Sequence, residues 1–272
     1  MSMLRSRNPA MSVFEQARDE RLTHDDALAR GKVMTLNGTV TATAILLSIV
    51  ATVAMLVYAP LAKSITAAAS GQSFAIPVWI WPALIGSLIG GLVLSLIIAF
   101  KPKTSPFIAP IHAAMEGVFV GVVSVLIPMQ FLGAASVSLV IQAMLATLAI
   151  TAGMLIGYAT GVLRVGAFMR KVIITATMGL MIYALALILL RFVGINMWNG
   201  YADTGIFGIG FTGLCVILAS LFLLLDFQYI EAGIANRAPK YMEWVGAWGL
   251  MVTLVWLYIE VLRLLAKLQS RD

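Results

Sequence analysis

Charged residues are scarce in this chain. Of its 272 residues only 11% are Asp, Glu, Lys or Arg, whereas a soluble domain averages about 25%. The hydrophobic fraction is 61% and the mean hydropathy is +0.99. This composition excludes an ordinary soluble domain and predicts an integral membrane protein.

Cysteine and histidine are scarcer still. Cys215 is the only cysteine, so no internal disulfide can form, and His24 and His112 are the only histidines. Neither histidine lies in an HExxH motif, and the chain has no GxSxG or phosphate-binding loop. The GxGxxG pattern of residues 208–213 lacks the strand that a dinucleotide site requires. We therefore expect no enzyme activity and no cofactor.

Apolar runs recur along the chain after Lys32 and predict an all-α fold. A helix needs about 20 apolar residues to cross about 30 Å of hydrocarbon, and lipid satisfies no backbone groups, which favours helices. The predicted spans lie near residues 34–58, 77–100, 109–128, 136–158, 171–194, 205–230 and 241–266. The predicted domains are a polar cytoplasmic head (1–33), a polytopic membrane domain of seven transmembrane helices (34–268) and a short tail (269–272).

The basic residues predict the orientation. Thirteen of the eighteen lysines and arginines fall in the head or in loops on its side of the membrane. Because cytoplasmic loops are enriched in these residues, we expect a cytoplasmic amino terminus in a bacterial inner membrane, and no nucleic-acid partner. If the last segment crosses the membrane fully, Arg263, Lys267 and Arg271 lie on the opposite side and contradict this pattern. The alternative is that the last segment enters the membrane and returns to the cytoplasmic side.

Two acids lie inside apolar runs. Asp226 interrupts the run from Phe211 to Phe227, and Glu116 lies in the third span. An ionised carboxylate at mid-membrane costs roughly 2.5–3.5 kcal/mol, so each acid requires a proton, a partner or a cation. At 1.5 Å per residue, Glu116 is expected roughly 9 Å and Asp226 roughly 6 Å from the cytoplasmic end. We expect the two to meet, with His112 on the same helix face as Glu116 and able to share its proton.

Structural roles stay open for these residues. Glu116 would then be a neutral acid that fixes helix packing, and Asp226 a side chain that reaches water near the end of its span. A third acid, Glu260, is expected roughly 28 Å along the last helix, at the opposite side of the membrane. Arg263 follows it by three residues and Arg191 ends the fifth span on that side, so we predict a structural ion pair there.

Two stretches resemble a known family. Residues Leu223–Glu231, LLLDFQYIE, resemble the FDxQxIxE segment in the sixth span of the Bax inhibitor (transmembrane Bax inhibitor motif) family. The head at Ser6–Ala10 and the end at Met242–Leu265 are similar to an uncharacterised bacterial branch of that family. The third span, with Ala113–Gly117 and then Gly121, is similar to that family's small-residue helix with its acid–glycine step. The resemblance implies a last helix that is central in the bundle. It also implies a pH-sensitive calcium leak, gated by two aspartates that share a proton.

Asp226 matches the first of those aspartates directly. The second falls on Glu260 if LYIE is aligned with the family's LYLD, and its place is taken by Thr253 if the alignment runs from Glu243 without gaps. We therefore predict a calcium (cation) leak channel gated by protonation, in which Asp226 and Glu116 bind calcium weakly and transiently. Its expected partners are calcium ions, protons and membrane lipids.

Two other functions stay open. The protein could be a non-transporting interaction protein that modulates a membrane protease or a stress response, acting through its head or loops on a membrane-protein partner. A secondary transporter is the other alternative, but such proteins usually contain repeated halves with broken helices, and the sequence shows no internal repeat.

Overall fold

The computed structural model describes residues 33–69, 77–195 and 197–271, so the predicted polar head lies outside the described residues except for Val33. The described chain contains seven helices that are long and apolar enough to cross a membrane. In chain order they are α1 (Leu36–Ala69), α2 (Ile80–Phe100), α3 (Ser105–Leu132), α4 (Val137–Ala159), α5 (Ala167–Phe192), α6 (Ile206–Ala235) and α7 (Met242–Gln269). The predicted all-α fold with seven transmembrane helices is confirmed.

Several helices extend beyond the apolar runs that predicted them. Helix α1 continues past residue 58 to Ala69, α3 begins at Ser105 rather than near residue 109, and α6 continues past residue 230 to Ala235. Pro60 and Pro110 lie inside α1 and α3. These bounds differ because polar residues end an apolar run without ending a helix, and transmembrane helices tolerate proline.

The last helix is the centre of the bundle. Helix α7 packs against α1, α3, α4 and α6, whereas α2 lies outside on α3 and α5 lies outside on α6. The buried residues of α7 include Met251, Leu257 and Leu262, which are fully enclosed by these neighbours. The central position expected for the last helix is therefore confirmed, and α5 is left exposed over most of its length.

Hydrogen bonds show which turns share an end of the bundle. The Met34 amide donates to Ala238 O at 2.8 Å, and Ser105 Oγ donates to Tyr241 O at 2.9 Å. The α2–α3 and α6–α7 turns therefore lie where α1 begins, and we call this side the N-terminal end. Helix α7 is continuous over 28 residues and reaches the α5–α6 loop at the opposite end. The last segment thus runs the full length of the bundle and does not turn back.

A small-residue face joins α1 and α3. Gly117 and Gly121 lie so close to α1 that a Cβ added at Gly117 would meet Val53 Cβ at 2.8 Å. Small residues allow this backbone approach, as the four-residue glycine spacing in α3 predicts. The glycines at the same spacing in α2 and α4 are used less consistently: a Cβ added at Gly90 would meet Met115 of α3 at 3.5 Å, whereas Gly86 and Gly153 face open space.

Candidate functional site

Asp226 lies on α6 where that helix packs against α7. The hydroxyl of Thr253 on α7 lies beside the Asp226 carboxyl and interacts favourably with its charged form, while it donates its hydrogen bond to Gly249 O at 3.2 Å. Gly249 lies one turn before Thr253, and a Cβ added there would stand 3.9 Å from Asp226 Oδ1. The second oxygen, Oδ2, is buried and has no hydrogen-bond partner among the described residues. A buried carboxyl oxygen without a donor is costly, so this position favours a proton, a water molecule or a cation.

A cavity of about 380 Å³ opens beside this carboxyl. Three helices form its walls. They are α2 at its end, near Ile98, α6 at the turn that contains Asp226 and Tyr229, and α7 at its start, near Met242. Helices α2 and α6 pack against different neighbours, which leaves this space between them. Trp248 also lines the cavity, and its indole N–H is buried without a partner among the described residues. The carboxyl is therefore accessible from the N-terminal end.

Glu116 lies on α3 at a similar depth but on another side of the central helix. Counted from Ser105 and Ala235 at 1.5 Å per residue, Glu116 is about 16 Å and Asp226 about 14 Å from the N-terminal end. Both are deeper than predicted because α3 and α6 are longer than their apolar runs. Among the described residues no hydrogen bond or charge interaction joins the two carboxyls. The expected direct pair is thus corrected: α7 lies between α3 and α6, which depth along the chain cannot reveal.

His112 has a different partner from the one predicted. It is 2% exposed, its Nε2 lies 2.8 Å from Ser95 Oγ on α2, and its ring meets the edge of Trp248 with 6.0 Å between centroids. The described hydrogen bonds do not link His112 to Glu116, and His112 Nδ1 is buried without a partner among them. The helical spacing of His112 and Glu116 is real, but α2 packs on this face and supplies a closer hydroxyl.

Glu260 lies far from Asp226, near the opposite end. Its carboxylate pairs with Arg263 Nη1 at 2.7 Å, and the Arg263 guanidinium lies 4.7 Å from the centre of the Tyr201 ring. Arg191, which we expected in the same pair, is exposed and lines a separate cleft. No contact between Arg191 and Glu260 is present in the described part of the chain, because α5 packs on α6 and not on α7.

The two positions considered for a second acid therefore differ. Thr253 lies beside the Asp226 carboxyl and interacts with it, whereas Glu260 lies seven residues, about 10 Å, further along α7. Within the described ranges no group of three or more His, Cys, Asp or Glu side chains could hold a metal ion. Because calcium takes about six to eight oxygen ligands, the oxygens of Asp226 and Thr253 could form only a weak site for it.

Sequence reasoning missed two buried charges. Glu243, 3% exposed, accepts hydrogen bonds from Thr35 N at 3.0 Å and Thr35 Oγ1 at 2.8 Å, and so caps the start of α1. The position of Glu243 in the first turn of α7 predicts a capping role at α7 itself. It gives no indication that Glu243 caps α1 instead. Lys267 is completely buried, and its only sequence signal was its conflict with the predicted orientation.

The α5–α6 loop at the opposite end is held by Asp203. Its carboxylate accepts hydrogen bonds from Gly205 N at 2.9 Å and from the Trp198 indole at 3.1 Å. These donors, the Gly205 amide first, hold the pKa of Asp203 below its ordinary value. The same loop contributes Gly200 and Tyr201 to the surroundings of Lys267 and Arg263.

Comparison with protein families gives one match. A family model described as Bax inhibitor 1 like matches residues 8–270, which include all the helices described above. No curated protein and no solved structure matches the chain significantly.

Proposed function

The chain belongs to the Bax inhibitor 1 like family, and from this membership together with the geometry at Asp226 we propose that it is a pH-sensitive calcium leak channel. In this proposal it is not an enzyme, it lies in a bacterial inner membrane, and its N-terminal end faces the cytoplasm. Its partners are calcium ions, protons and lipids.

One observation supports the proposal most strongly. The Oδ2 oxygen of Asp226 is buried without a hydrogen-bond partner among the described residues, and the side chain lines a cavity beside the N-terminal end. In lipid, an ionisable residue in such a position is expensive to keep and by default suggests function. By contrast, Glu243 accepts hydrogen bonds from Thr35 and Glu260 pairs with Arg263, and no oxygen of either acid is among the buried atoms without a partner in the described chain.

Protonation of Asp226 is the proposed switch. In the protonated state the carboxyl is neutral and remains compatible with close packing of α6 on α7. Loss of the proton leaves a buried charge that the nearby Thr253 hydroxyl favours, although this hydroxyl also donates to Gly249 O. The charge then draws water and a cation into the cavity and weakens the α6–α7 contact, so calcium flux rises with pH. Glu116 is a separate acid on α3 in this mechanism and not a sharer of the same proton.

The structure corresponds to a closed state in this proposal. Beyond Asp226 the α6–α7 interface is apolar: the rings of Phe222 and Trp256 lie 6.3 Å apart, and Leu223 and Leu257 are completely buried. A cation cannot cross such a segment unless the helices separate. Weak binding at Asp226 suits passage, because an ion that binds tightly does not leave.

Calcium flux into liposomes that contain the purified protein tests the proposal. We expect wild-type flux to rise from mildly acid to mildly alkaline pH, and Asp226→Asn to abolish this dependence because the amide does not titrate. Thr253→Val removes the hydroxyl that stabilises the charged form, so it should shift the dependence to higher pH.

Glu231→Gln is the matched control. Glu231 is an acid on the same helix, but it is exposed and hydrogen-bonded by Tyr158, so its substitution should leave the pH profile unchanged. If Asp226→Asn and Glu231→Gln both behave as wild type, or if the wild type carries no calcium, the proposal fails. A non-transporting interaction protein would give that result, and deletion of residues 1–30 would then abolish its cellular effect.

A further inference from the structure

Lys267 occupies an unusual position in the last turn of α7. It is 0% exposed, although lysine is almost never fully buried without a partner. Its Nζ donates to Gly200 O at 2.7 Å, to Thr212 Oγ1 at 2.8 Å and to Gly208 O at 3.1 Å. These three acceptors match the three N–H groups of an ammonium. Each is a neutral oxygen.

The nearby carboxylates already have other partners. Glu260 is paired with Arg263 at 2.7 Å, and Asp203 accepts from Gly205 and Trp198. Within the described ranges no carboxylate lies at salt-bridge distance from Lys267, so the direct contacts of its ammonium are oxygen dipoles, while Asp203 and Glu260 act on it from further away. Such a set of carbonyl and hydroxyl oxygens is the donor set that replaces water around a monovalent cation.

The oxygens come from two elements that α7 must hold together. Gly200 belongs to the α5–α6 loop, whereas Gly208 and Thr212 belong to the first turns of α6. Lys267 therefore joins the loop and α6 to the central helix at the end opposite Asp226. Phe131 of α3 lies on another side of the ammonium, with 5.8 Å between Nζ and the ring centre.

We propose that the oxygens of Gly200, Gly208 and Thr212 form a monovalent-cation site, and that the tethered ammonium of Lys267 occupies this site and seals the far end of the α6–α7 interface. The site would take a small primary ammonium or an alkali cation whenever the lysine is absent. The role of Lys267 in closing the ion pathway rests on the proposed function. The cation site itself can be tested without measuring calcium flux.

Cys215 provides the test, because it is the only cysteine in the chain and is completely buried. It lies three residues after Thr212 on α6, within electrostatic range of Lys267. We would measure its reaction with a water-soluble maleimide in detergent-purified protein. In Lys267→Ala the rate should rise about tenfold, the factor that loss of a charge-assisted hydrogen bond gives to a local opening equilibrium.

Chemical rescue distinguishes a cation site from ordinary packing. The n-propylammonium ion replaces the atoms that Lys267→Ala removes, so it should return the labelling rate of this variant towards the wild-type value. Choline at the same concentration is too bulky for the oxygen cage and should not. Arg271→Ala is the matched control, because Arg271 is a basic residue just beyond the end of α7 and is exposed, and Cys215→Ala gives the background of the assay.

Thr212→Val keeps the test decisive if Lys267→Ala does not fold. This variant removes one oxygen of the cage at nearly constant volume, and it should raise Cys215 labelling about threefold, less than loss of the charge itself. Labelling of Lys267→Ala or of Thr212→Val at the Arg271→Ala rate would overturn the proposal. Equal protection by propylammonium and choline would also overturn it. None of these results depends on whether Asp226→Asn alters calcium flux.

Discussion

The two ends of the α6–α7 interface are built on opposite principles. Near the N-terminal end, Asp226 lies beside the Thr253 hydroxyl, one of its oxygens is buried without a described partner, and a cavity lies next to it. Near the opposite end, Lys267 is sealed from solvent and all its donors are used. An incompletely satisfied charge can change its state, whereas a completely satisfied one stabilises a single state. Within one helix pair, the Asp226 end is therefore a candidate switch and the Lys267 end is a structural closure.

The largest stability effect is expected at the opposite end, from Glu260→Gln. This change leaves the Arg263 guanidinium without its carboxylate in a site where its side chain is only 17% exposed. Removing one partner of a buried pair costs roughly 3–5 kcal/mol, and the partial exposure of Arg263 places the loss near 3 kcal/mol. Thermal unfolding in detergent measures it. A change below about 1 kcal/mol would mean that the Tyr201 ring and water stabilise Arg263 without help.

A smaller, pH-dependent effect is expected from Asp203→Asn. Because the Gly205 amide and the Trp198 indole hold the pKa of Asp203 below its ordinary value, the ionised side chain stabilises the folded state. This contribution is fully present above the unfolded-state pKa, about 3.9, and is lost as the pH falls through the lower folded-state pKa. The difference in melting temperature between wild type and Asp203→Asn should therefore shrink in acid. A difference that stays constant with pH would show that the ionised form is not what stabilises the loop.

The smallest effect on stability is expected from Asp226→Asn, the same change that should abolish the pH dependence of flux. The amide is neutral and of the same size as the carboxyl, and one carboxyl oxygen has no described hydrogen bond to lose. We expect a change within about 0.5 kcal/mol of wild type or a gain, by detergent unfolding at neutral pH. A loss comparable with that of Glu260→Gln would make Asp226 a structural residue and remove the contrast between the two ends.

The sequence predicted some of these features and not others, and particular residues show why. Apolar length predicts each span because a helix must cross about 30 Å of hydrocarbon. The apolar run around Asp226 showed that an ionised carboxylate there has a high free energy, because this free energy can be judged from the depth of the residue in the membrane. The sequence paired Asp226 with Glu116 because both lie at similar depth, yet depth contains no information about direction around a helix bundle. Only the packing of α7 between α3 and α6 separates them.

Lys267 also shows that the sequence does not predict which residues meet in the fold. In the sequence it was a positive charge that contradicted the expected orientation. In the fold its charge is buried by oxygens from residues more than fifty positions away in the chain. Arg263 is likewise paired, with Glu260. Of the three basic residues that contradict the orientation pattern, Arg263 and Lys267 therefore make contacts inside the protein, and only Arg271 is exposed.

Composition and apolar length were enough to identify this chain as a seven-helix membrane protein with acids inside its apolar segments. Those properties follow from local composition and length, because the membrane acts on each segment separately. Packing in three dimensions determines which acid has an unsatisfied oxygen in a cavity, that Thr253 lies beside it, and that Glu243 and Lys267 find partners across the bundle. Hydrogen bonds act over about 3 Å in space, and distance along the chain does not predict that separation.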